Sequence, residues 1–224
     1  MNEEERRVAW RINSSKLYNL PIYYINLDKR SDRCESIENQ LKLFNLFHNS
    51  TRICAVDRTS ETINKRGAGC SLSHSIAFSH AIRNNEEHGI ILEDDFVFTV
   101  SRSEFEKRVG DLFKYFPHFN VCNFAYNDAY GELQIIPGTE GFYKGKVQAS
   151  SGYIFKSSYA KDILLPLFLY GAGKLEAGEA YSTWALDQSW KEYQDDPNWV
   201  QMTKCGIQKL SYSDIEDTGV NYGV

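Results

Sequence analysis

The sequence predicts an α/β fold with a mostly parallel central sheet flanked by helices and a mixed second half. Two observations favour this class. Short β-branched and aromatic runs alternate with segments of helical periodicity between residues 20 and 95, and acidic or amide side chains lie at the ends of these runs. Strands that alternate with helices are typical of parallel sheets with right-handed crossovers. We expect one domain over residues 20–224, preceded by an extension at residues 1–19.

The first half supplies the regular alternation. Three runs of strand length are predicted at residues 20–27 (LPIYYINL), 51–56 (TRICAV) and 89–92 (GIIL). Apolar residues at helical spacing predict helices at residues 31–47 and 71–84, the second of them opened by the glycines of GAGC. Ligands bind at the carboxyl ends of the strands in sheets of this kind, so the polar residues found there are site candidates.

The second half is less regular. A helix is expected at residues 103–116, with Ser103 as its N-cap. Further helices are expected at residues 157–170, opened by a capping serine and disturbed by Pro166, and at residues 178–194. FNVCNFA, GELQIIP and GYIFK are short strand candidates, which makes this region a mixed one.

Composition and charge disfavour several classes of protein. The 224 residues are 42% apolar and 25% charged, as in ordinary globular domains, and the net charge of −5 argues against a nucleic-acid binder. The first residues lack the apolar core of a signal peptide, and no segment is apolar for long enough to span a bilayer. Five cysteines without CxxC spacing predict a reduced chain without a zinc cluster. We expect a cytoplasmic location.

Three adjacent carboxylates follow the third predicted strand. Glu93, Asp94 and Asp95 repel one another there, and a hard divalent cation offsets such repulsion through oxygen ligands. We predict that Glu93 and Asp95 bind Mn²⁺ (or Mg²⁺), which bridges the two phosphates of a nucleotide, and that Asp94 lies near the nucleotide sugar. The alternative is a solvated turn after an edge strand.

Three motifs follow one another in the first half of the sequence: Ile25-Asn26-Leu27-Asp28 with Arg30 and Arg33, then Gly67 and Gly69-Cys70-Ser71-Leu72-Ser73-His74, then Glu93-Asp94-Asp95. In this order they resemble glycosyltransferase family 25, which includes lipooligosaccharide and collagen galactosyltransferases. The resemblance covers most of residues 20–217 and is thinner in the second half, where it rests on SSGYIFKSSYAKDIL, ALDQSW and GIQKLSYSDIED.

The resemblance implies a GT-A type fold and inverting transfer, usually with a divalent metal. The implied donor is a nucleotide-diphosphate sugar, with a UDP-sugar expected, and the acceptor is a hydroxyl of a glycan or glycoprotein. In such a reaction the bond from the anomeric carbon to phosphate breaks, and a cation with Arg or Lys stabilises the charge on the leaving diphosphate. A carboxylate takes the acceptor proton.

Donor-binding candidates follow the first two strands. Asn26 and Leu27 are expected to face the nucleobase and ribose, and Asp57 to lie at the same edge of the sheet. Arg30 or Arg33 is expected to contact the diphosphate; the alternative is that both are surface or helix N-terminal arginines.

Further donor contacts are expected from the second helix and the acidic run. Ser73 and His74 are predicted one turn into a helix whose positive end faces the donor. The alternatives are helix capping for the serine and a hydrogen-bonded packing role for the histidine. Glu93 and Asp94 complete the predicted donor site.

Asp187 is the predicted general base, because it matches the apolar-Asp pair of the family. Its alternative is a solvent-facing helical aspartate. Asp214 competes for the role, and Asp94 is the next candidate. No histidine follows His118, so a third protein ligand for the metal must come from elsewhere.

Two other functions stay open. The same acids suit a metal-dependent phosphoesterase or nucleotide-sugar hydrolase, which would cleave the donor without an acceptor. A non-catalytic sugar-binding relative would keep the fold without turnover.

Overall fold

A computed structural model describes residues 17–127, 132–209, 212–215 and 218–219. The strands are β1 (Ile22–Asn26), β2 (Ser50–Cys54), β3 (His88–Glu93), β4 (Phe96–Phe98), β5 (Val121–Asn127), β6 (Gln134–Ile135), β7 (Phe142–Lys144), β8 (Gln148–Lys156), β9 (Trp199–Met202), β10 (Gly206–Gln208), β11 (Tyr212–Ser213) and β12 (Thr218–Gly219). The helices are α1 (Ser31–Leu43), α2 (Ile63–Arg83), α3 (Arg102–Tyr115), α4 (Ser157–Tyr159), α5 (Leu165–Glu176), α6 (Tyr181–Trp184) and α7 (Leu186–Ser189). Shorter 3₁₀ turns cover Phe47–Asn49 and Lys191–Asp195.

An eight-stranded sheet has the order β2-β1-β3-β8-β5-β9-β7-β6. Strand β1 pairs in parallel with both β2 and β3, and the second half of the sheet combines antiparallel pairs with the parallel pair β5–β9. The predicted fold class is confirmed, with its parallel half and its mixed half. Asn26 is opposite Cys54 and Ile25 is opposite Glu93, so the carboxyl ends of the first three strands meet at one edge.

Helices cover both faces of the sheet. Successive residues of β1 point to opposite faces: Tyr24 belongs to the core beneath α1 and α3, and Tyr23 to the core beneath α2 and α5. All five residues of β1 are buried, as expected for a parallel strand covered on two sides. This three-layer packing fixes the strand ends that carry the acidic run.

Helix α2 begins eight residues earlier than predicted. Its N-cap is Thr62, whose hydroxyl accepts a hydrogen bond from the backbone N–H of Lys65, so GAGC lies inside the helix. A Cβ at Gly67 would lie 2.7 Å from the Tyr181 ring, and one at Gly69 would lie 2.7 Å from the carbonyl oxygen of Val56. The glycines therefore permit close packing and do not mark a helix start.

This earlier start changes the place of Ser73 and His74. They lie in the middle of a 21-residue helix, and not one turn from its positive end. The prediction that the helix N-terminus faces the donor beside these two residues is wrong, because the partial charge of a helix end falls off within the first turn.

Three other helix predictions are corrected in detail. Ser101, not Ser103, caps α3, since its hydroxyl accepts from the N–H of Glu104 at 3.2 Å. The disturbance predicted at Pro166 lies just before the proline, as a π-helical turn at Ala160–Leu164, and α5 continues to Glu176, beyond the predicted end at residue 170. No hydroxyl cap opens α4, whose N-cap position is Lys156.

The helix predicted at residues 178–194 is broken. Ala185 has an extended conformation (φ −54°, ψ 144°) between α6 and α7, and a 3₁₀ turn follows α7. The break directs Leu186 and Trp190 into the core. It also brings Asp187 to a cavity wall. Within the described residues, no helix is both long and apolar enough to cross a bilayer.

Candidate active site

One cavity of about 190 Å³ lies where the carboxyl ends of the parallel strands meet the mixed half. Its wall draws on chain segments from Ile25 to Ile215. Among the predicted site residues the lining includes Leu27, Arg33, Ser73, His74, Glu93, Asp94, Asp95 and Asp187, together with the competitor Asp214. The structure thus brings together most of the residues that the sequence singled out.

Glu93 is held by two polar side chains on one carboxylate oxygen. His74 Nε2 lies 3.3 Å from Glu93 Oε1, and Ser150 Oγ donates to the same oxygen at 2.5 Å. Burial raises the pKa of Glu93, but the hydrogen bond with His74, together with the Ser150 bond and the charge of Arg33, brings it below its ordinary value. Within the described part of the chain both contacts fall on Oε1, which leaves Oε2 for a ligand in the cavity.

A tyrosine fixes the ring of His74. The Tyr153 hydroxyl lies 2.8 Å from His74 Nδ1, and both side chains are fully buried. Because ionised Glu93 can only accept, a neutral His74 carries its proton on Nε2 and accepts the tyrosine hydroxyl at Nδ1. The Tyr153–His74–Glu93 chain therefore orients the first acid of the run.

Asp94 joins the acidic run to the first strand. Its two oxygens accept from Asn26 Nδ2 at 2.7 Å and from Arg33 at 3.1 Å. Burial raises the pKa of Asp94, while Arg33 and the bond from Asn26 oppose the rise. Arg52 donates to the amide oxygen of Asn26 at 2.7 Å, so the amide of this predicted donor residue is engaged by protein partners.

Asp95 carries the least compensated charge. Gln208 Nε2 donates to Asp95 Oδ2 at 3.0 Å, and Arg33 lies 3.5 Å from the same oxygen. Burial and the negative charge of Glu93 raise the pKa of Asp95 to about 7, against the opposing effects of Gln208 and Arg33. Asp95 Oδ1 is buried and makes no hydrogen bond within the described residues.

These carboxylates fit a divalent cation. Asp95 has an orphaned buried oxygen, Glu93 has one oxygen outside its two hydrogen bonds, and both residues line one cavity. Carboxylate oxygens are the ligands that Mn²⁺ and Mg²⁺ prefer. A cation there would offset the repulsion that raises the pKa of Asp95.

Asp187 is held mainly by backbone. The N–H of Ala149 donates to Asp187 Oδ2 at 3.2 Å, and Gln188 contributes a long contact of 3.5 Å. Burial raises the pKa of Asp187, opposed by the Ala149 bond and by the charge of Lys191. Ala149 has φ +79°, a conformation that costs a non-glycine residue about 1–3 kcal/mol and is typical of functional sites.

Asp214 anchors arginines. It is paired with Arg30 and lies 3.6 Å from Arg33. Arg30 also forms a two-point ion pair with Asp32, and it does not line the cavity, whereas Arg33 does. Of the two predicted arginines, Arg33 is the one placed to meet a ligand.

Two further candidates have structural partners. Asp57 accepts from the N–H and hydroxyl of Thr59 and pairs with Lys29 at 3.1 Å, and it lies outside the cavity lining among the described residues. Ser73 accepts the N–H of Val56 at 2.9 Å and so ties α2 to the loop after β2. Their contact with a donor stays a prediction.

The sequence analysis missed several lining residues. Arg58 and Arg66 bring positive charge to the cavity wall, and Ser150 and Gln208 hold the acids. Ser150 and Gln208 lie inside the motifs SSGYIFK and GIQKLSYSDIED, but nothing local shows which acid each one contacts.

Comparison with known proteins identifies the class of enzyme. Residues 44–133, less than half of the chain, match the sequence model of glycosyltransferase family 25 (LPS biosynthesis protein). The predicted family is confirmed. The chain is a glycosyltransferase. No curated protein matches the sequence of this glycosyltransferase significantly.

A comparison with solved structures supports the fold through one of two similar proteins. A glycosyltransferase involved in the glycosylation of the major capsid of PBCV-1 superimposes with a TM-score of 0.54 at 10% identity, covering 88% of this glycosyltransferase and 96% of that chain. A mannose-1-phosphate geranyltransferase from Thermus thermophilus gives a TM-score of 0.47 at 8% identity, with coverages of 88% and 76%. At these identities the first similarity supports the GT-A-like fold alone, and the second is too weak to carry an argument.

Proposed function

We propose that the protein is a metal-dependent, inverting glycosyltransferase that moves a sugar from a nucleotide-diphosphate donor, a UDP-sugar, to a hydroxyl of a glycan or glycoprotein. The observation that carries this proposal is the convergence of the acidic run, Arg33 and Asp187 on one cavity. Family membership supplies the reaction class, and the cavity supplies the groups that such a reaction needs.

The first-strand side of the cavity is the proposed donor side. Leu27 offers an apolar surface for the base or ribose, and Asp94 accepts from a sugar or ribose hydroxyl. Arg33, and the neighbouring Arg58 and Arg66 on the wall, provide the positive charge that a leaving diphosphate requires.

A divalent cation, Mn²⁺ or Mg²⁺, would be held by Glu93 and Asp95, and when bound it supplies charge neutralisation for the diphosphate. His74 and Ser150 orient Glu93 for this, and Gln208 orients Asp95. These hydrogen bonds fix the carboxylates before any ligand arrives, which lowers the ordering cost of binding.

Asp187 is the proposed base for the acceptor hydroxyl. Burial raises its pKa, which strengthens it as a proton acceptor, and it has no arginine partner to hold its oxygens within the described residues. Asp214 suits the role less well because two arginines already engage its carboxylate. Inversion follows if the acceptor attacks from the face opposite the diphosphate in a single displacement.

The test is calorimetric binding of UDP with and without Mn²⁺. We expect each ligand to strengthen the binding of the other in the wild type, and Asp95→Ala to weaken nucleotide binding in Mn²⁺ more than tenfold, about 1.4 kcal/mol. Asp111→Ala is a matched control, because this aspartate pairs with Lys107 on α3 and does not line the cavity. Unchanged affinity in Asp95→Ala would remove Asp95 from the metal site.

Product analysis separates transfer from hydrolysis. Wild-type protein with UDP-sugar and Mn²⁺ is expected to release UDP much faster once a glycan acceptor is supplied, with inversion at the anomeric carbon. Release at the same rate without an acceptor would favour a nucleotide-sugar hydrolase.

A further inference from the structure

A second group of metal-ligating side chains lies on the wall of the same cavity. Cys70 Sγ, His74 Nε2 and a carboxylate oxygen of Glu93 all lie within 4.8 Å of one another. Cys70 and His74 are four residues apart on α2 and so share one face of the helix, while Glu93 ends β3. Within the described residues, this is the one such cluster of three.

The distances suit a tetrahedral ion. His74 Nε2 and Glu93 Oε1 are 3.3 Å apart. Two such ligands on tetrahedral zinc are separated by about 3.4 Å, so an ion bound to both, beside the line that joins them, leaves their separation nearly unchanged. Cys70 Sγ lies within 4.8 Å of both atoms, and sulfur and nitrogen ligands of tetrahedral zinc are about 3.6 Å apart, so the thiol needs a shift of at most roughly 1 Å. The Cys-His-Glu set leaves the fourth position open to water or a ligand.

The surroundings complete the site. His74 Nδ1 faces the Tyr153 hydroxyl at 2.8 Å, and Ser150 donates to Glu93 at 2.5 Å, as the outer partners of zinc ligands do. All three ligands line the cavity, which provides the access route. Thiolate and imidazole favour Zn²⁺ over Mn²⁺ or Mg²⁺, which prefer oxygen.

We propose that Cys70, His74 and Glu93 form a second cation site for thiophilic divalent ions such as Zn²⁺, and that its occupation inhibits the enzyme. On binding, Cys70 releases its thiol proton to solvent. The His74 proton moves from Nε2 to Nδ1, where it is donated to the Tyr153 oxygen. Glu93 then holds zinc through the oxygen that faces His74, and the charge of that ion repels a hard cation bound by the other oxygen of Glu93 and by Asp95. The inhibitory part rests on the proposed function; the binding part does not.

The binding part is tested with Co²⁺ as a spectroscopic probe. We expect a thiolate-to-cobalt charge-transfer band in the near ultraviolet for the wild type and for Cys54→Ser, and no band for Cys70→Ser. Cys54 is the matched control because it is the exposed cysteine and contacts Asp28 instead of His74. Zn²⁺ should displace Co²⁺, and Cys70→Ser should weaken Zn²⁺ binding at least tenfold. A band that is absent from the wild type, or that persists in Cys70→Ser, overturns the site.

A second measurement on the wild type covers the case in which Cys70→Ser does not fold. Zn²⁺ is expected to slow alkylation of Cys70 by iodoacetamide at least tenfold, as followed by peptide mass spectrometry, and to leave alkylation of Cys54 nearly unchanged. Equal rates for Cys70 with and without Zn²⁺ overturn the site.

The inhibitory part is tested by steady-state transfer. We expect Zn²⁺ to inhibit in competition with Mn²⁺ in the wild type, and this inhibition to weaken at least tenfold in Cys70→Ser. Cobalt binding at Cys70 without zinc inhibition would overturn the inhibitory part alone. Loss of transfer under all metals would count against the proposed function and leave the cobalt result standing.

Discussion

The acidic run and Asp187 lie on the same cavity but are stabilised in different ways. Glu93, Asp94 and Asp95 accept hydrogen bonds or ion pairs from five different side chains, two of which come from beyond residue 149. Asp187 relies on one backbone N–H and a long amide contact. The first arrangement holds several charges at fixed positions, and the second leaves a single half-buried carboxyl free to gain and lose a proton.

The largest effect is expected when the carboxylate of Asp187 is removed. Asp187→Asn keeps the shape and the bond from Ala149 but removes the basic oxygen, so turnover should fall by about 10²–10⁴ with donor affinity nearly unchanged. Transfer rates at saturating donor, with thermal melting to confirm folding, measure this. Asp195→Asn, an identical change at an exposed ion pair with Lys146, is expected to keep wild-type turnover.

The Asp214→Asn variant tests whether Asp214, and not Asp187, is the general base. If Asp187→Asn transfers sugar at a near wild-type rate while Asp214→Asn is folded but inactive, the two roles are reversed. If both variants remain active, Asp94 becomes the candidate.

An intermediate effect comes from the charge of Asp95. Its folded pKa of about 7 lies above the ordinary value of 3.8, so its stabilising contribution is complete below about pH 4 and is lost as pH rises through 7. Without divalent cations, Asp95→Asn should therefore gain in unfolding free energy over the wild type between pH 4.5 and pH 8, by about 1.4 kcal/mol or more.

Urea denaturation in a chelating buffer measures this difference. Adding Mn²⁺ at pH 8 should stabilise the wild type and leave Asp95→Asn nearly unaffected. If the unfolding free energies of the two proteins change in parallel across this pH range, the pKa of Asp95 is not raised in the folded protein.

The smallest expected effect is a change in unfolding free energy at Ala149, whose N–H donates to Asp187. Ala149→Gly should raise the unfolding free energy by about 1 kcal/mol, because glycine adopts φ +79° without strain. Ala172→Gly, at a regular position of α5, should lower it by about the same amount or more. Equal losses in both variants would contradict strain at Ala149.

Local sequence is sufficient to predict the parallel half. β1 lies inside the predicted residues 20–27, and β3 ends at Glu93, so the acidic run falls at a strand end as expected. Strand periodicity and burial on both faces depend on neighbouring residues, which is why these elements can be predicted.

The failures have a common physical cause. Local sequence misplaces the start of α2 because Gly67 and Gly69 disfavour helix, while their reason for being there is packing against Tyr181 and Val56. The break at Ala185 likewise serves the burial of Trp190. Partners of the acids cannot be predicted either, since Ser150 lies 57 positions from Glu93 and Gln208 lies 113 positions from Asp95.

The distance along the chain between Asp95 and Gln208 has a consequence for synthesis. A ribosome adds roughly 5–20 residues per second, so those 113 positions take roughly 6–23 s to translate. During that interval Arg33 has already been made, but the amide that holds Asp95 has not. In the growing chain, Glu93, Asp94 and Asp95 therefore have only some of their final hydrogen-bond partners. The cavity is lined by Asp95 from the first half of the chain and by Gln208 from its end, so a cation bound there meets both only after Gln208 has left the ribosome.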